Sequence, residues 1–344
     1  MSHLDIRDLT VTYRGAGGAD SAVPAVRGVD LTVPHAGTVG VAGESGCGKS
    51  TLALALLRLL PKTAALNGQI LLDGEDVLTM KWGRLRAVRW AATSIVFQGA
   101  MHSLNPVRRV GEQIAEPLLL HGTTASAAEA RERVAALLRQ VGLPQQRAGA
   151  YPHELSGGQR QRVMIAMALA CEPELIIADE PTTALDVMTQ AQILRLIAGL
   201  VDETGVSMVL ISHDLSVLAH TCDRLAVMYA GRIVEEGPAR EVYTDARHPY
   251  AAALSGAFPR IGDPASRRRP RGLAGDPPDP AALPAGCAFR PRCERAQPCC
   301  ARIDPVLWPA GTHRSAACVH VVPEAPAVEP AVGEPAVGSE EGRW

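Results

Sequence analysis

Apolar residues alternate with polar ones in two stretches near the amino terminus and form nearly unbroken runs further along the chain. In residues 4–13 and 29–33 apolar side chains recur mostly at every second position, which predicts strands with one buried face. Residues 175–178 and 206–211 are almost entirely apolar, which is typical of parallel strands buried on both faces. The pattern therefore predicts an α/β fold that contains a parallel sheet.

A different period, with apolar residues three or four positions apart, follows in the middle of the chain. Ser126 and Glu129 have the spacing of a capping box, so a helix is predicted to begin there. Gly142 and Pro144 are predicted to end it. The helix belongs to a predicted α-helical subdomain of about residues 100–170, and its apolar stripe is assigned to the core. The stripe consists of Ala130, Val134, Leu137, Leu138 and Val141.

Length and charge exclude several classes of protein. The chain has 344 residues, 47% of them hydrophobic, which allows a sizeable core and two or three domains. Its formal net charge of −2 argues against nucleic acid as a partner, despite the basic run 267–269. No apolar run approaches the length of a transmembrane helix, and the amino terminus lacks an export signal. We therefore expect a cytosolic chain whose eight cysteines are reduced.

The strongest chemical signal is a glycine-rich stretch between an apolar run and a predicted helix. It matches the phosphate-binding pattern G-x-x-x-x-G-K-[ST] from Gly43 to Ser50. Glycines let the backbone wrap phosphates and aim N–H groups at them, and the helix dipole adds positive charge. Lys49 is predicted to reach the β- and γ-phosphates, and the Ser50 hydroxyl to hold Mg²⁺. The predicted nucleotide-binding residues are Gly43, Glu44, Ser45, Gly46, Cys47, Gly48, Lys49, Ser50 and Thr51.

Other candidate residues stand at the ends of predicted strands. Asp179 and Glu180 follow a buried strand, where open α/β sheets bind ligands. Asp179 suits a Mg²⁺ site, and Glu180 could polarise an attacking water. Gln98 follows a short apolar strand and could ligate Mg²⁺ from a flexible loop. For His213, which also follows a strand, a structural role and a functional role are equally open.

Two further positions have two interpretations each. Tyr13 is either a half-buried strand aromatic or a platform on which adenine stacks. Residues 155–159, Leu-Ser-Gly-Gly-Gln, are either an ordinary serine-capped helix start or a second anion site. In the second case Ser156, Gly158 and Gln159 would bind a phosphate. Since one nucleotide rarely needs two phosphate cradles in one chain, that interpretation suggests a site shared between two protomers.

The order of these motifs along residues 4–258 resembles the nucleotide-binding subunit of an ABC transporter. The resemblance implies a P-loop NTPase cassette with a RecA-like core, an antiparallel β-subdomain and an α-helical subdomain. It implies that ATP and Mg²⁺ are bound, with 155–159 as the signature motif and Asp186 in the D-loop. It also implies that Tyr13 is the adenine platform and that Gln98 is the Q-loop glutamine. Glu180 is then the catalytic base and His213 the switch on the γ-phosphate, and Lys49 acts with them in catalysis.

A narrower resemblance, to the ATPases of dipeptide, oligopeptide and nickel importers, rests on residues 151–154, 160–168, 179–187 and 248–250. It implies peptide import first, and nickel or another small solute second. The partners implied are a second, diverged ATPase subunit, two transmembrane permease subunits and an extracytoplasmic solute-binding protein, with the chain peripheral on the cytoplasmic face of the membrane. One departure is Gly99-Ala100, where the family usually has Glu-Pro.

A soluble ABC ATPase that acts on ribosomes or DNA is the alternative. The chain has one phosphate-binding motif and one signature, whereas ribosome-acting relatives usually carry two cassettes. DNA-acting relatives separate their halves by a long coiled coil, but only residues 99–154, 56 in all, separate Gln98 from the signature. Both features favour the transporter.

The carboxyl-terminal region is a predicted extension, residues 259–320, followed by a disordered tail, residues 321–344. Residues 259–286 are rich in Pro, Gly and Arg and are interpreted as a linker. Four cysteines follow that could hold Zn²⁺, an iron–sulfur cluster or nothing, and their spacing is not that of a zinc ribbon. The resemblance supports a [4Fe–4S] cluster, with Cys299 as a possible substitute for Cys300. The four candidate ligands are Cys287, Cys293, Cys300 and Cys318.

Overall fold

The computed structural model describes residues 2–15, 18–99, 103–257 and 273–321. Residues 258–272, which include the first half of the predicted linker, lie outside the described residues, as do Ala100 and the predicted tail from residue 322 onward.

The strands are β1 (Ser2–Gly15), β2 (Gly18–Pro34), β3 (Thr38–Ala42), β4 (Ala64–Leu72), β5 (Glu75–Asp76), β6 (Thr93–Val96), β7 (Leu175–Asp179), β8 (Ser207–Ser212), β9 (Arg224–Tyr229), β10 (Arg232–Pro238), β11 (Trp308–Gly311) and β12 (Arg314–Ala316). The helices are α1 (Lys49–Leu56), α2 (Trp82–Ala91), α3 (Val110–Leu120), α4 (Ala127–Gln140), α5 (Gly157–Leu169), α6 (Val187–Thr204), α7 (Leu215–Thr221), α8 (Ala239–Thr244) and α9 (Pro249–Ala257). None of these helices has both the length and the apolar character needed to span a bilayer.

The alternating stretches near the amino terminus form a small antiparallel sheet in the order β2-β1-β4-β5. Ile6 of β1 pairs with Leu31 on one side and with Ile70 on the other, and all three side chains are buried. Their common face packs on the main sheet in one apolar core. The strands predicted from the period of two are therefore confirmed.

The apolar runs form the centre of a second sheet of eight strands, in the order β11-β12-β10-β9-β3-β8-β7-β6. The strands from β9 to β6 are parallel, and β3, β7 and β8 are buried along their whole length. Ala42 pairs with Ser212, and Asp179 pairs with Ile211. Because these neighbours are parallel and in register, their carboxyl ends meet at one edge of the sheet.

In the middle of the chain α3, α4 and α5 pack together. The Ser126 hydroxyl caps α4 by accepting the Glu129 N–H at 3.2 Å. All five residues of the apolar stripe on α4 and its carboxyl end are buried, which confirms that they belong to the core.

The carboxyl-terminal extension joins the main sheet rather than forming a separate core. Strand β12 pairs with β10, with Ala316 opposite Glu235. The Arg314 guanidinium donates to the Glu235 carboxylate at 2.7 Å, and both side chains are buried. Glu235 also accepts the backbone N–H of His248 at 2.7 Å, so its charge is fully engaged. The pair and the strand fix the extension against β10 and α9.

Candidate active site

The glycine-rich loop runs from the end of β3 to the first turn of α1, as its sequence predicts. Gly48 has a φ of 108°, and a Cβ at this position would lie 2.3 Å from the Ala25 carbonyl oxygen. A Cβ at Gly43 would lie 2.3 Å from the carbonyl oxygen of Met228. Only glycine therefore lets the loop pass this close to its neighbours.

The side chain of Lys49 folds back onto the glycine-rich loop and bonds to its backbone. It is 4% exposed, and its ammonium donates to the carbonyl oxygens of Gly43 at 2.7 Å and Glu44 at 2.9 Å. The thiol of Cys47 lies 3.8 Å from the same nitrogen, and burial raises the pKa of that thiol. A buried cation at the start of a helix favours a multiply charged anion as its ligand.

Ser50 and Asp179 meet although 129 residues separate them. The Ser50 hydroxyl donates to the Asp179 carboxylate at 3.3 Å, and Asp179 is 5% exposed at the end of β7. Burial raises the pKa of Asp179, and the bond from Ser50 opposes that shift. A hydroxyl oxygen and a carboxylate oxygen at one point are the hard ligands that Mg²⁺ prefers.

The Glu180 carboxylate is the centre of a polar group beside this pair. It accepts the side-chain amide of Gln98 at 3.0 Å and the hydroxyl of Thr183 at 2.9 Å. Nδ1 of His213 lies 3.8 Å from the same oxygen. The contact with His213 lowers the pKa of Glu180 against the effect of burial, and it raises the pKa of His213. The group therefore places a carboxylate beside an imidazole, two side chains that general acid–base chemistry commonly uses.

Tyr13 lies at the other end of the loop. Its hydroxyl is 3.2 Å from the hydroxyl of Thr51, and its ring is half-buried. The structure thus brings Tyr13 to the first turn of α1, beside the residues predicted to bind phosphate.

Residues 155–159 form a capped helix start at α5. The Ser156 hydroxyl accepts the Gln159 N–H at 3.3 Å, and the Gln159 side chain accepts the Ser156 N–H at 3.1 Å. A Cβ at Gly158 would lie 2.5 Å from Cγ2 of Thr189, one of the residues capped by Asp186. Ser156 and Gln159 thus bond to each other in the turn that they cap, while Gly158 packs beside α6.

Three residues of this site were not predicted from the sequence. Thr183 bonds to Glu180, Tyr250 accepts the Glu44 N–H at 2.9 Å, and Arg292 donates to the Glu44 carboxylate. Thr183 lies three residues after Glu180, so the local sequence could have indicated it. Tyr250 and Arg292 lie 206 and 248 residues from Glu44. Tyr250 belongs to the stretch 248–250 that resembles the importer ATPases, but no local pattern pairs either residue with Glu44.

Four cysteines of the extension line one small pocket together with His248 and Phe289. These are Cys287, Cys293, Cys300 and Cys318. Burial raises the pKa of the thiols of Cys287, Cys293 and Cys318. Cys299 is not among the lining residues, and its sulfur contacts the side chain of Gln297 instead.

A backbone phosphate cradle, a buried lysine and a carboxylate pair at the carboxyl edge of a parallel sheet define a P-loop nucleoside triphosphatase. The family model described as "ABC transporter" matches residues 26–183, and the model described as "Oligopeptide/dipeptide transporter, C-terminal region" matches residues 234–300. The chain belongs to the ATP-binding subunits of ABC transporters and is an ATPase that uses ATP and Mg²⁺.

Similar proteins agree with this assignment. The chain is 45% identical to the "Probable peptide ABC transporter ATP-binding protein y4tR" of Sinorhizobium fredii, over 92% of this chain and 94% of that protein. It is 44% identical to the oligopeptide transport ATP-binding protein OppD of Mycobacterium tuberculosis, over 92% of this chain and 51% of that protein. Among solved structures, a dimeric ATP-binding cassette, MJ0796, in a post-hydrolysis state with ADP and Pi is 30% identical. That structure has a TM-score of 0.61 and covers 69% of this chain and 99% of its own.

Proposed function

We propose that the chain hydrolyses ATP to energise an importer of peptides. The main support for ATP hydrolysis is that Lys49, the Ser50–Asp179 pair and Glu180 lie together at one edge of the sheet. The match of residues 234–300 to the oligopeptide and dipeptide transporter region supports peptides as the transported solute. The names of similar proteins favour peptides over nickel.

The roles of the site residues follow from their positions. Tyr13 stacks on adenine, the backbone of 43–51 and the Lys49 ammonium bind the phosphates, and Ser50, Asp179 and Gln98 hold Mg²⁺. Glu180 directly follows Asp179 and accepts the side-chain amide of Gln98, and from there it would accept a proton from the attacking water. His213, 3.8 Å from Glu180, stabilises charge on the γ-phosphate.

The same proposal includes a second cassette. Ser156, Gly158 and Gln159 stand at the exposed start of α5, where the helix dipole favours an anion. Placed against the phosphates of a partner's ATP, this turn completes the second wall of the site. The dimeric form of the MJ0796 cassette supports this arrangement. A diverged paralogue is the partner that we propose, and ATP binding closes the pair while hydrolysis reopens it.

Membership of the family implies a membrane permease and a substrate-binding component as partners. We propose two transmembrane permease subunits, an extracytoplasmic solute-binding protein and a peripheral position on the cytoplasmic face of the membrane.

The cysteine pocket fits a metal group. Four thiols face one pocket, and each is a ligand that iron–sulfur clusters and zinc both take. Cys287, Cys293, Cys300 and Cys318 would hold a [4Fe–4S] cluster in this proposal, and Zn²⁺ is the alternative that the same four thiols could take.

The catalytic assignment is tested with Glu180→Gln in the purified transporter reconstituted in liposomes. The amide cannot accept a proton, so we expect ATP hydrolysis to fall by about 100-fold or more while ATP is still bound. Glu203→Gln, an exposed carboxylate on α6, is the matched control and should hydrolyse ATP normally. Peptide uptake should stop with hydrolysis in Glu180→Gln. Unchanged turnover would refute the role of Glu180, and peptide uptake without ATP would refute the proposed coupling.

A further inference from the structure

One ion pair connects the carboxyl-terminal extension directly to the phosphate-binding loop. The Arg292 guanidinium donates to both carboxylate oxygens of Glu44, at 2.6 and 2.9 Å. Both groups are largely shielded from water, with side chains 6% and 21% exposed. This bidentate, shielded pair is the strong form of a charge-assisted hydrogen bond.

Every polar group of Glu44 is bonded to a different part of the chain. Its N–H donates to the Tyr250 hydroxyl on α9, and its carbonyl oxygen accepts the Lys49 ammonium. Its carboxylate is held by Arg292. Since Glu44 is the second residue of the loop, these bonds set the direction in which the rest of the loop leaves β3.

Arg292 is itself held firmly. Its Nε donates to the Ala274 carbonyl at 2.9 Å, and its guanidinium lies 6.0 Å from the centre of the Tyr229 ring. Phe289, three residues earlier, packs edge-on against Tyr229 and Tyr250, with ring centres 5.3 and 5.4 Å apart. The arginine thus reaches the loop from a rigid platform, and it directly precedes Cys293 of the cysteine pocket.

We propose that Arg292 is a positioning residue of the ATP site, which acts through Glu44 to hold the phosphate-binding loop in its binding geometry. The inference rests on the proposed nucleotide site and adds to it a contribution from the extension. Arg292 also neutralises a carboxylate carried by the phosphate-binding loop itself, whose unpaired negative charge would repel a triphosphate bound there. Losing Arg292 therefore weakens ATP binding through both the geometry and the charge of the loop.

The test is an equilibrium titration of the full-length chain with Mg²⁺ and a non-hydrolysable ATP analogue. For Arg292→Gln we expect the Kd to rise about tenfold, the size of effect that linked sites commonly show. Arg292→Lys keeps the charge but not the two-point contact, so its Kd should lie between those of the wild type and Arg292→Gln. Arg302→Gln, an exposed arginine of the same extension, should bind as the wild type does.

A double-mutant cycle separates this role from a general structural one. In a Glu44→Gln background Arg292 has no carboxylate to hold, so adding Arg292→Gln should change the Kd by less than about twofold. An equal loss in both backgrounds would overturn the proposal, as would wild-type affinity in both Arg292 variants. If Arg292→Gln does not fold, Arg292→Lys alone decides the matter, because a Kd equal to that of the wild type in this variant would overturn the proposal. A wild-type chain that does not bind the analogue would instead refute the proposed nucleotide site.

Discussion

Glu180 adopts a backbone conformation that is uncommon for a residue with a side chain. Its φ is 45°, in the left-handed region, directly after β7 ends. Such a conformation costs free energy and persists only where the surrounding contacts hold it. Its N–H donates to Ile211 at 3.0 Å, while Gln98 and Thr183 bond to its carboxylate. The carboxylate is thereby aimed at the site from a fixed position.

The pair formed by Glu180 and His213 predicts a measurable titration. Glu180 raises the pKa of His213 above its ordinary value, so this contribution to stability is present below pH 6.5 and lost as the pH rises through the raised pKa. The pKa of Glu180 is lowered, so its contribution to stability depends on pH in the opposite direction. That contribution is present above pH 4.5 and is lost as the pH falls through the lowered pKa. In Glu180→Gln we expect the pKa of His213 to fall, as measured by NMR of its ring protons. Glu203→Gln should leave it unchanged, and an unchanged value in Glu180→Gln would contradict the pairing.

At the scale of elements, two helices begin with the same serine cap but differ in the residues that follow the serine. Ser126 caps α4 and Ser156 caps α5, each accepting the N–H three residues later. Only the second turn has glycines after the serine, and a Cβ at Gly158 would lie 2.5 Å from Cγ2 of Thr189. The cap explains the helix, and a capped helix start is also where a helix favours an anion.

These two serines provide a matched test of the two-cassette proposal. Ser156→Arg and Ser126→Arg should each cost about 1 kcal/mol of stability, because each removes one helix cap. Only Ser156→Arg should abolish ATP hydrolysis by the assembled transporter, while the isolated chain still binds ATP. Equal hydrolysis by the two variants in a coupled-enzyme assay would show that this turn takes no part in the reaction.

At the scale of the whole molecule, three sets of contacts join the carboxyl-terminal extension to the rest of the chain. Strand β12 lengthens the main sheet, Arg314 neutralises the buried Glu235, and Arg292 binds Glu44. The loops around the cysteines contain only single turns of 3-10 helix. A bound metal group would therefore supply much of their stability.

This predicts the consequence of metal removal. Protein purified without oxygen should contain iron and sulfide in equal amounts and show a broad absorption band that bleaches on exposure to air. Cys300→Ala should lose the band and Cys299→Ala should keep it, since only Cys300 lines the pocket. Zinc without iron, or no metal at all, would contradict the cluster. Loss of the iron should also lower the unfolding temperature of the extension.

The sequence by itself determined those features whose cause lies within a few residues. The period of two predicted the small sheet, the apolar runs predicted β7 and β8, and the glycine-rich stretch predicted the loop before α1. Each depends on backbone geometry and on burial of one face or both, and a local pattern records both. The position of Asp179 near Ser50 also followed, because parallel strands share one edge.

Only the tertiary structure decided which distant partners meet. That Arg292 binds Glu44, that Tyr250 accepts its N–H, and that Cys300 rather than Cys299 faces the pocket could not be read from the chain. An arginine or a tyrosine has the same local signal wherever it lies. Its partner is set by how β9, α9 and the extension pack together, and that depends on contacts more than 200 residues apart in the sequence.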